Sequence, residues 1–383
     1  MNNLFFRDSH KELKNKLVKF LSKEIGAIKD KFNSKNKIPP SLLRKIGKEG
    51  YFGPLIPAKY LGTNAGLIAH CLITEEISKL NVAISVSRTP CILDGYLLNK
   101  YGNEQQKEEY LAKIAQGEKI CSICVTEEGA GSDVAGIKTQ AIKSGGSFIL
   151  NGSKKFITNA GIADYYFIWA ITDKNVNPRN GMSVFLVEKD TLGLEIENPY
   201  GLMGIQGVWN GIINMKDVEV SSTNLIGDQG KAFTSLMDTF NIERLTLSSE
   251  CNGISAAALE AAKSYAKEHS QFNKPLSSFQ LTKIKIAEMA TKLRAARLLV
   301  YSAAKLAESN LNITKEASMA KSFSSKSALD ITSKAIQIYG GNGYTDNFVV
   351  ERYMRDARFF QIGGGTSEIQ LNIVAKRILG LPG

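Results

Sequence analysis

The spacing of apolar and polar positions changes period twice along the chain. In "ELKNKLVKFLSKEIGAIKDKF" (12–32) apolar residues return every three or four positions, which places them on one face of an α-helix. A second helix is expected in "SLLRKIGKEG", which follows Pro39-Pro40 and stops on Gly50. Everything up to about residue 115 reads as helical. From about 118 to 220 the runs shorten and become rich in Val, Ile, Phe and Tyr. "FILNGSKKFITNA", "YYFIWAITD", "MSVFLVEKD" and "GIINMKDVEV" are each bounded by Gly, Asn or Asp, and predict an antiparallel β unit. Helices return from about 230: a long one dense in Ser, Gly and Ala, then one whose Ile284, Ala287, Leu293, Ala296 and Val300 predict a single apolar face. Helices, strands and helices in separate blocks argue against an alternating βαβ fold. The expectation is a mainly α protein with a central β domain, in segments 1–117, 118–228 and 229–383.

Length and composition sharpen this picture little. The 383 residues suggest two or three packed units, and 43% hydrophobic with 22% charged residues is ordinary for a globular protein. No window approaches the roughly 18 uninterrupted apolar residues of a membrane span. The start "MNNLFFRDSHKELKNK" has no apolar signal core, so a cytoplasmic location and no membrane partner are expected. Five scattered cysteines do not make a disulfide framework, and Cys121-x-x-Cys124 falls in a strand-like run that reads as buried. Three distant histidines suggest no metal site.

Charge changes the picture more. Forty-eight Lys+Arg against 37 Asp+Glu leave a net +11, a surface that attracts acidic partners. The excess is diffuse, and its densest part, Lys11 to Lys31, is interleaved with Glu12, Glu24 and Asp30. With no nucleic-acid-binding motif, nucleic acid is not an expected partner.

Neither G-x-G-x-x-G nor G-x-x-x-x-G-K-[ST] occurs, so neither common nucleotide-binding loop is signalled. Glycine clusters instead in "TEEGAGSD" (126–133), "YGGNGY" (339–344) and "IGGGTSE" (362–368). Glycine lets backbone N–H groups approach a ligand closely, and three such loops together exceed what ordinary turns require.

With "VTEEGAGSDVAGIKT", "NGSKKFITNAGIADYYF", "AIQIYGGNGYTDNFVVERYMRDAR" and "GTSEIQ" in this order, the sequence resembles the acyl-CoA dehydrogenase family over essentially its whole length. The resemblance implies an N-terminal helical domain, a β-barrel-like middle domain and a C-terminal four-helix bundle, assembled as a homotetramer with non-covalent FAD. Matching positions imply flavin contacts at Val125, Thr126, Ser132, Phe156 and Thr158. They imply contacts to a neighbouring subunit's FAD at Phe272, Gln280, Gln337, Gly340 and Gly341, and adenylate contacts at Thr366 and Glu368.

Much of this family carries, at the place of Gly364, a glutamate that removes the α-proton of the acyl thioester. Here a glycine stands instead. Members resembling isovaleryl-CoA and long-chain acyl-CoA dehydrogenases supply the base from the long helix, and "TFNIERLTL" offers Glu243-Arg244 at that place. Desolvation should raise the pKa of such a carboxylate toward the working pH. The Gly364 N–H remains able to polarise the thioester carbonyl. Arg244 and Asn241 are the expected substrate-binding residues.

Departures concern substrate recognition: Gln206, Val208 and Asn210 after the β unit, Asn241 where Asp is common, His269 in place of Arg, and Glu128 in place of Pro. The expected reaction is α,β-dehydrogenation of an acyl-CoA, short and branched chains included. The alternative is oxidation of a prolyl or aminoacyl group on an acidic acyl carrier protein, which the basic surface would attract. Electron-transfer flavoprotein is the expected acceptor for the first reading and oxygen for the second. A non-catalytic flavin-binding scaffold is a third reading, against which the retained Glu243 counts.

Overall fold

The computed structural model describes residues 4–33 and 35–381, so the outermost residues of the first and last expected segments lie outside it. Five helices come first: α1 Asp8–Glu24, α2 Pro40–Ile46, α3 Leu67–Leu80, α4 Val82–Tyr101 and α5 Glu104–Ala115. Helix α1 is shorter than the apolar spacing predicts. After Glu24 the Ile25 and Gly26 amides both bond back to the Leu21 carbonyl, at 2.9 and 3.0 Å, and the chain continues as turns. Pro40 occupies the first turn of α2, where its missing N–H costs nothing.

The middle of the chain contains β1 Cys121–Cys124, β2 Gln140–Ser144, β3 Ser147–Thr158, β4 Tyr165–Ile171, the single turn α6 Pro178–Gly181, β5 Met182–Glu188, β6 Leu194–Glu197 and β7 Asn210–Ser221. They form one seven-stranded sheet in the order β1-β4-β2-β3-β7-β6, with β5 also paired to β4. The expected antiparallel unit is in fact mixed, because β1 and β2 pair with β4 in parallel. Asp164 accounts for the β1–β4 register. Its N–H donates to Ile120 O at 2.7 Å while its carboxylate accepts the Ile120 N–H at 2.9 Å, so the two strands start side by side. Cys121 and Cys124 are buried free thiols.

The last third comprises α7 Ala232–Glu268, the small hairpin β8 Ser270–Gln271 and β9 Lys274–Pro275, α8 Gln280–Glu308, α9 Thr314–Tyr339, α10 Val350–Phe359 and α11 Ser367–Ile378. Helices α7, α8 and α9 pack on one another, while α10 and α11 lie against α9. The small residues of α7 permit close crossing. A Cβ on Gly253 would come within 2.5 Å of the Glu75 carbonyl and of Ser78 Cβ on α3. The apolar face expected on α8 is buried at Leu293, Ala296 and Val300 but exposed at Ile284 and Ala287. No helix among the described residues is long and apolar enough to cross a membrane.

Candidate active site

The long helix α7 and the loop before α11 bring Glu243 and Gly364 together. A Cβ built on Gly364 would stand 3.6 Å from the Glu243 carboxyl carbon and only 2.0 Å from Leu247 Cδ1. The loop could not carry a side chain there without moving Leu247, and its φ of +63° favours glycine in any case. The Glu243 carboxylate thus occupies the neighbourhood that a side chain on residue 364 would otherwise reach. Glu243 is only partly accessible, and burial raises its pKa to about 7 against the opposing pull of Arg244 and Lys321. A carboxylate poised there can accept a proton at neutral pH.

Arg244 is buried next to it, donating from Nη1 to Asn241 Oδ1 at 2.6 Å; Asn241 in turn donates to Thr314 Oγ1 at 3.2 Å. The two expected substrate-binding residues therefore act on each other. Arg244 Nε is buried without a partner, a donor left for something the chain itself does not supply.

The glycine loop is held from behind. Gln370 donates from Nε2 to the carbonyls of Gly364 and Gly365, both at 3.2 Å, and Lys321 of α9 donates from Nζ to Gly365 O at 2.5 Å. Among the described residues the N–H groups of Gly364 and Gly365 find no acceptor. They are free to meet an oxyanion, as the reading of Gly364 requires.

The residues expected to touch the chain's own flavin come from strand β3, the segment after β1 and the start of α11. Phe156 lies in β3 at a register shift opposite β7, in a positive-φ conformation (59°), with its ring tilted 32° against Tyr200 yet 55% exposed. Thr158 ends the same strand. Val125, Thr126 and Ser132 lie on the segment after β1, which is anchored from within: buried Lys154 donates to Val125 O at 3.1 Å and to Glu127 Oε1 at 2.8 Å. Glu127 also accepts from the Thr139 N–H and hydroxyl, at 3.0 and 2.6 Å. Thr366 caps α11 by accepting from Ile369 N–H, and Glu368 lies in that helix's first turn.

The remaining expected contacts gather elsewhere. Phe272 on the β8–β9 hairpin is 86% exposed, Gln280 and Gln337 are exposed, and an added Cβ on Gly340 or Gly341 would meet nothing within 4 Å. Gln337 is sixteen residues beyond Lys321 on α9, roughly 24 Å along the helix. One chain therefore presents two separate patches. These residues fit a dinucleotide: open glycine backbones, amides without acceptors and uncovered aromatic rings are what such a ligand would use. No cluster that could hold a metal occurs among the described residues.

Lys321, Gln370 and the Lys154–Glu127 pair were not singled out from the sequence. Lys321 had a signal, since it interrupts the buried stripe Ala317, Ala320, Ser324, Ala328 of α9 at a position where a lysine must have a partner.

The chain is similar to known proteins over nearly its whole length. The N-terminal, middle and C-terminal domain models of acyl-CoA dehydrogenase match residues 7–118, 122–218 and 230–379. An acyl-CoA dehydrogenase of Bacillus subtilis (strain 168) is 38% identical over 369 residues, covering 94% of this chain and 95% of that protein. The structure of butyryl-CoA dehydrogenase from Megasphaera elsdenii superposes with a TM-score of 0.94 at 32% identity, covering 98% of this chain and 99% of that one. A prolyl acyl carrier protein oxidase superposes with a TM-score of 0.92 at 30% identity, covering 98% and 100%.

Proposed function

Since the chain belongs to the acyl-CoA dehydrogenase family of FAD-dependent oxidoreductases, we propose that it removes the α- and β-hydrogens of an acyl thioester, with Glu243 as the base. The observation that carries this reading is the 3.6 Å between the Glu243 carboxyl carbon and the place a residue-364 side chain would begin. Bound FAD supplies the acceptor for the β-hydrogen as hydride. Glu243 takes the α-proton, the Gly364 N–H donates to the thioester carbonyl as negative charge builds on it, and Arg244 with Asn241 lines the approach. Val125, Thr126, Ser132, Phe156, Thr158, Thr366 and Glu368 hold the chain's own FAD. Phe272, Gln280, Gln337, Gly340 and Gly341 serve a neighbouring subunit of a homotetramer, with electron-transfer flavoprotein as acceptor.

Glu243→Gln tests the base. It should leave FAD content and melting temperature near wild type while slowing flavin reduction by about 10² to 10⁴-fold. Unchanged flavin bleaching by an acyl thioester in this variant would remove Glu243 from the reaction.

A second reading is favoured by the net charge of +11 together with the likeness to the prolyl acyl carrier protein oxidase: the thioester is borne by an acidic carrier protein, with oxygen as acceptor. Offering the same acyl group on CoA and on carrier protein separates the two. Carrier recognition predicts faster flavin reduction by the carrier form at low salt, fading as ionic strength shortens the Debye length to about 8 Å. Equal or faster reduction by the CoA form at every salt concentration excludes it.

A further inference from the structure

We propose that Lys321 is the positioning residue of this site, holding the Gly363–Gly365 loop in place and keeping Glu243 in its proton-accepting form. The proposal rests on the reading of Glu243 as the base and adds a residue that the motif around that glutamate does not contain. Lys321 is 1% exposed, in the middle of the buried face by which α9 meets α7 and α11. Its ammonium group makes one hydrogen bond to protein, to Gly365 O at 2.5 Å, on the loop whose next residue back faces the Glu243 carboxyl carbon. Peptide bonds are planar and trans, so tying the Gly364 and Gly365 carbonyls to Gln370 and Lys321 fixes the two peptide planes that follow Gly364, turning the Gly365 and Thr366 N–H groups the opposite way and anchoring the loop on the far side of the Gly364 N–H. One lysine thereby links the loop's orientation to the charge beside the base.

The charged and titratable groups around this point come from three helices. Glu243, Arg244 and Cys251 belong to α7, Lys321 to α9 and Glu368 to α11; Glu250, further along α7, also feels Glu243. Burial lowers the Lys321 ammonium to about 8, which leaves it charged at neutral pH. Glu243 then has two cations within electrostatic reach, Arg244 and Lys321, opposing the burial that raises its pKa. Arg244 is already hydrogen-bonded to Asn241, whereas among the described residues the loop carbonyl is the hydrogen-bond partner of Lys321. Removing the Lys321 charge leaves desolvation less opposed, so Glu243 holds its proton to higher pH.

The test uses FAD-loaded wild type, Lys321→Met, Lys321→Gln, Lys321→Arg and Glu243→Gln. Lys321→Gln keeps a donor for Gly365 O without the charge, so it reports on charge even where Lys321→Met folds poorly. Two readouts are taken from about pH 6 to about pH 9.5, a span that brackets the base. One is flavin reduction at sub-saturating concentration of whichever of isovaleryl-CoA, butyryl-CoA or prolyl carrier protein bleaches the wild type fastest. The other needs no substrate: infrared titration of the protonated-carboxyl band that Glu243→Gln lacks. Loss of the charge should move the acid limb and the band titration upward by about one pH unit. That is about a fivefold rate loss at pH 7, approaching tenfold toward pH 6 and recovered at high pH, because well below the pKa one unit is a factor of ten in the ionised fraction. Lys321→Arg should retain the wild-type profile. Rates lowered equally at every pH, with an unmoved infrared titration in both neutral variants, would make Lys321 a packing residue and overturn the proposal. If instead Glu243→Gln bleaches normally while the band still shifts, the base assignment fails and the electrostatic influence of Lys321 stands.

Discussion

At the scale of single residues, the proposed reading makes Gly364 and Glu243 complementary, one without a side chain and the other with its carboxyl carbon 3.6 Å from where that side chain would begin. A glutamate restored at position 364 cannot simply reoccupy its place, because its Cβ would meet Leu247 Cδ1 at 2.0 Å and its backbone would have to hold φ +63°. Left-handed backbone costs a non-glycine residue about 1 kcal/mol or more. Gly364→Glu in a Glu243→Gln background should therefore lower the melting temperature and recover little flavin reduction. Adding Leu247→Ala should raise the recovered rate by making room, although it opens space in the core. Equal rates with and without the Leu247 change would show that the contact does not limit the restored base. That residue 364 is glycine and residue 243 glutamate was legible in the sequence through the motifs around them. That Leu247 stands between the two was not, because its place depends on how α7 is rotated against the loop.

At the scale of elements, the junction of α3, α4 and α7 is a polar seam inside an apolar core. Arg88 of α4 donates from Nε to Tyr51 O at 2.8 Å and from Nη1 to Thr74 Oγ1 of α3 at 3.1 Å, and His70 Nε2 pairs with Thr246 Oγ1 of α7 at 2.8 Å. Glu250 of α7 accepts from Ser85 and Thr89 of α4 at 2.9 and 3.0 Å. Burial raises the Glu250 pKa to about 8, so it is protonated at neutral pH. The folded state then binds a proton that the unfolded chain releases above its ordinary value of 4.5. Stability from this group is complete below that value and is lost as pH rises toward about 8. Glu250→Gln keeps an acceptor for both hydroxyls and removes the titration. The melting temperature of the variant relative to wild type should increase as pH climbs from about 5 to about 8, and a constant difference over that range would mean that Glu250 is ionised throughout.

At the scale of the whole molecule, one chain exposes Phe272, Leu281 and Ile284 at 86%, 70% and 45%, beside the exposed Gln280, and the Tyr265 ring stacks both on His269, just before the Phe272 hairpin, and on Tyr339, just before the open Gly340–Gly341 turn. Apolar side chains gathered there suit contact with another copy, and the same surface carries the residues assigned to a neighbour's FAD. Phe272→Glu should reduce the apparent mass in sedimentation and lower the FAD retained per chain together. Loss of FAD with an unchanged assembly would place Phe272 at the cofactor alone, and an unchanged FAD content would remove this surface from cofactor binding.

What the sequence determined by itself is whatever short-range pattern encodes: helix and strand periods, the order of three blocks, the glycine loops, and a glutamate before an arginine on a long helix. The apolar spacing ran past the real end of α1, because spacing alone does not register where a carbonyl accepts from two successive amides, as Leu21 does. It also showed the face of α8 without showing that Ile284 and Ala287 remain uncovered, which depends on what packs against the helix and not on the helix. Only the tertiary structure decided that β1 runs parallel to β4, that Glu243 meets Gly364, and that Lys321 from a third helix ties the loop behind them. Each of these depends on how rigid elements cross and rotate against one another. Packing of whole surfaces sets those angles, and no local run of residues carries them.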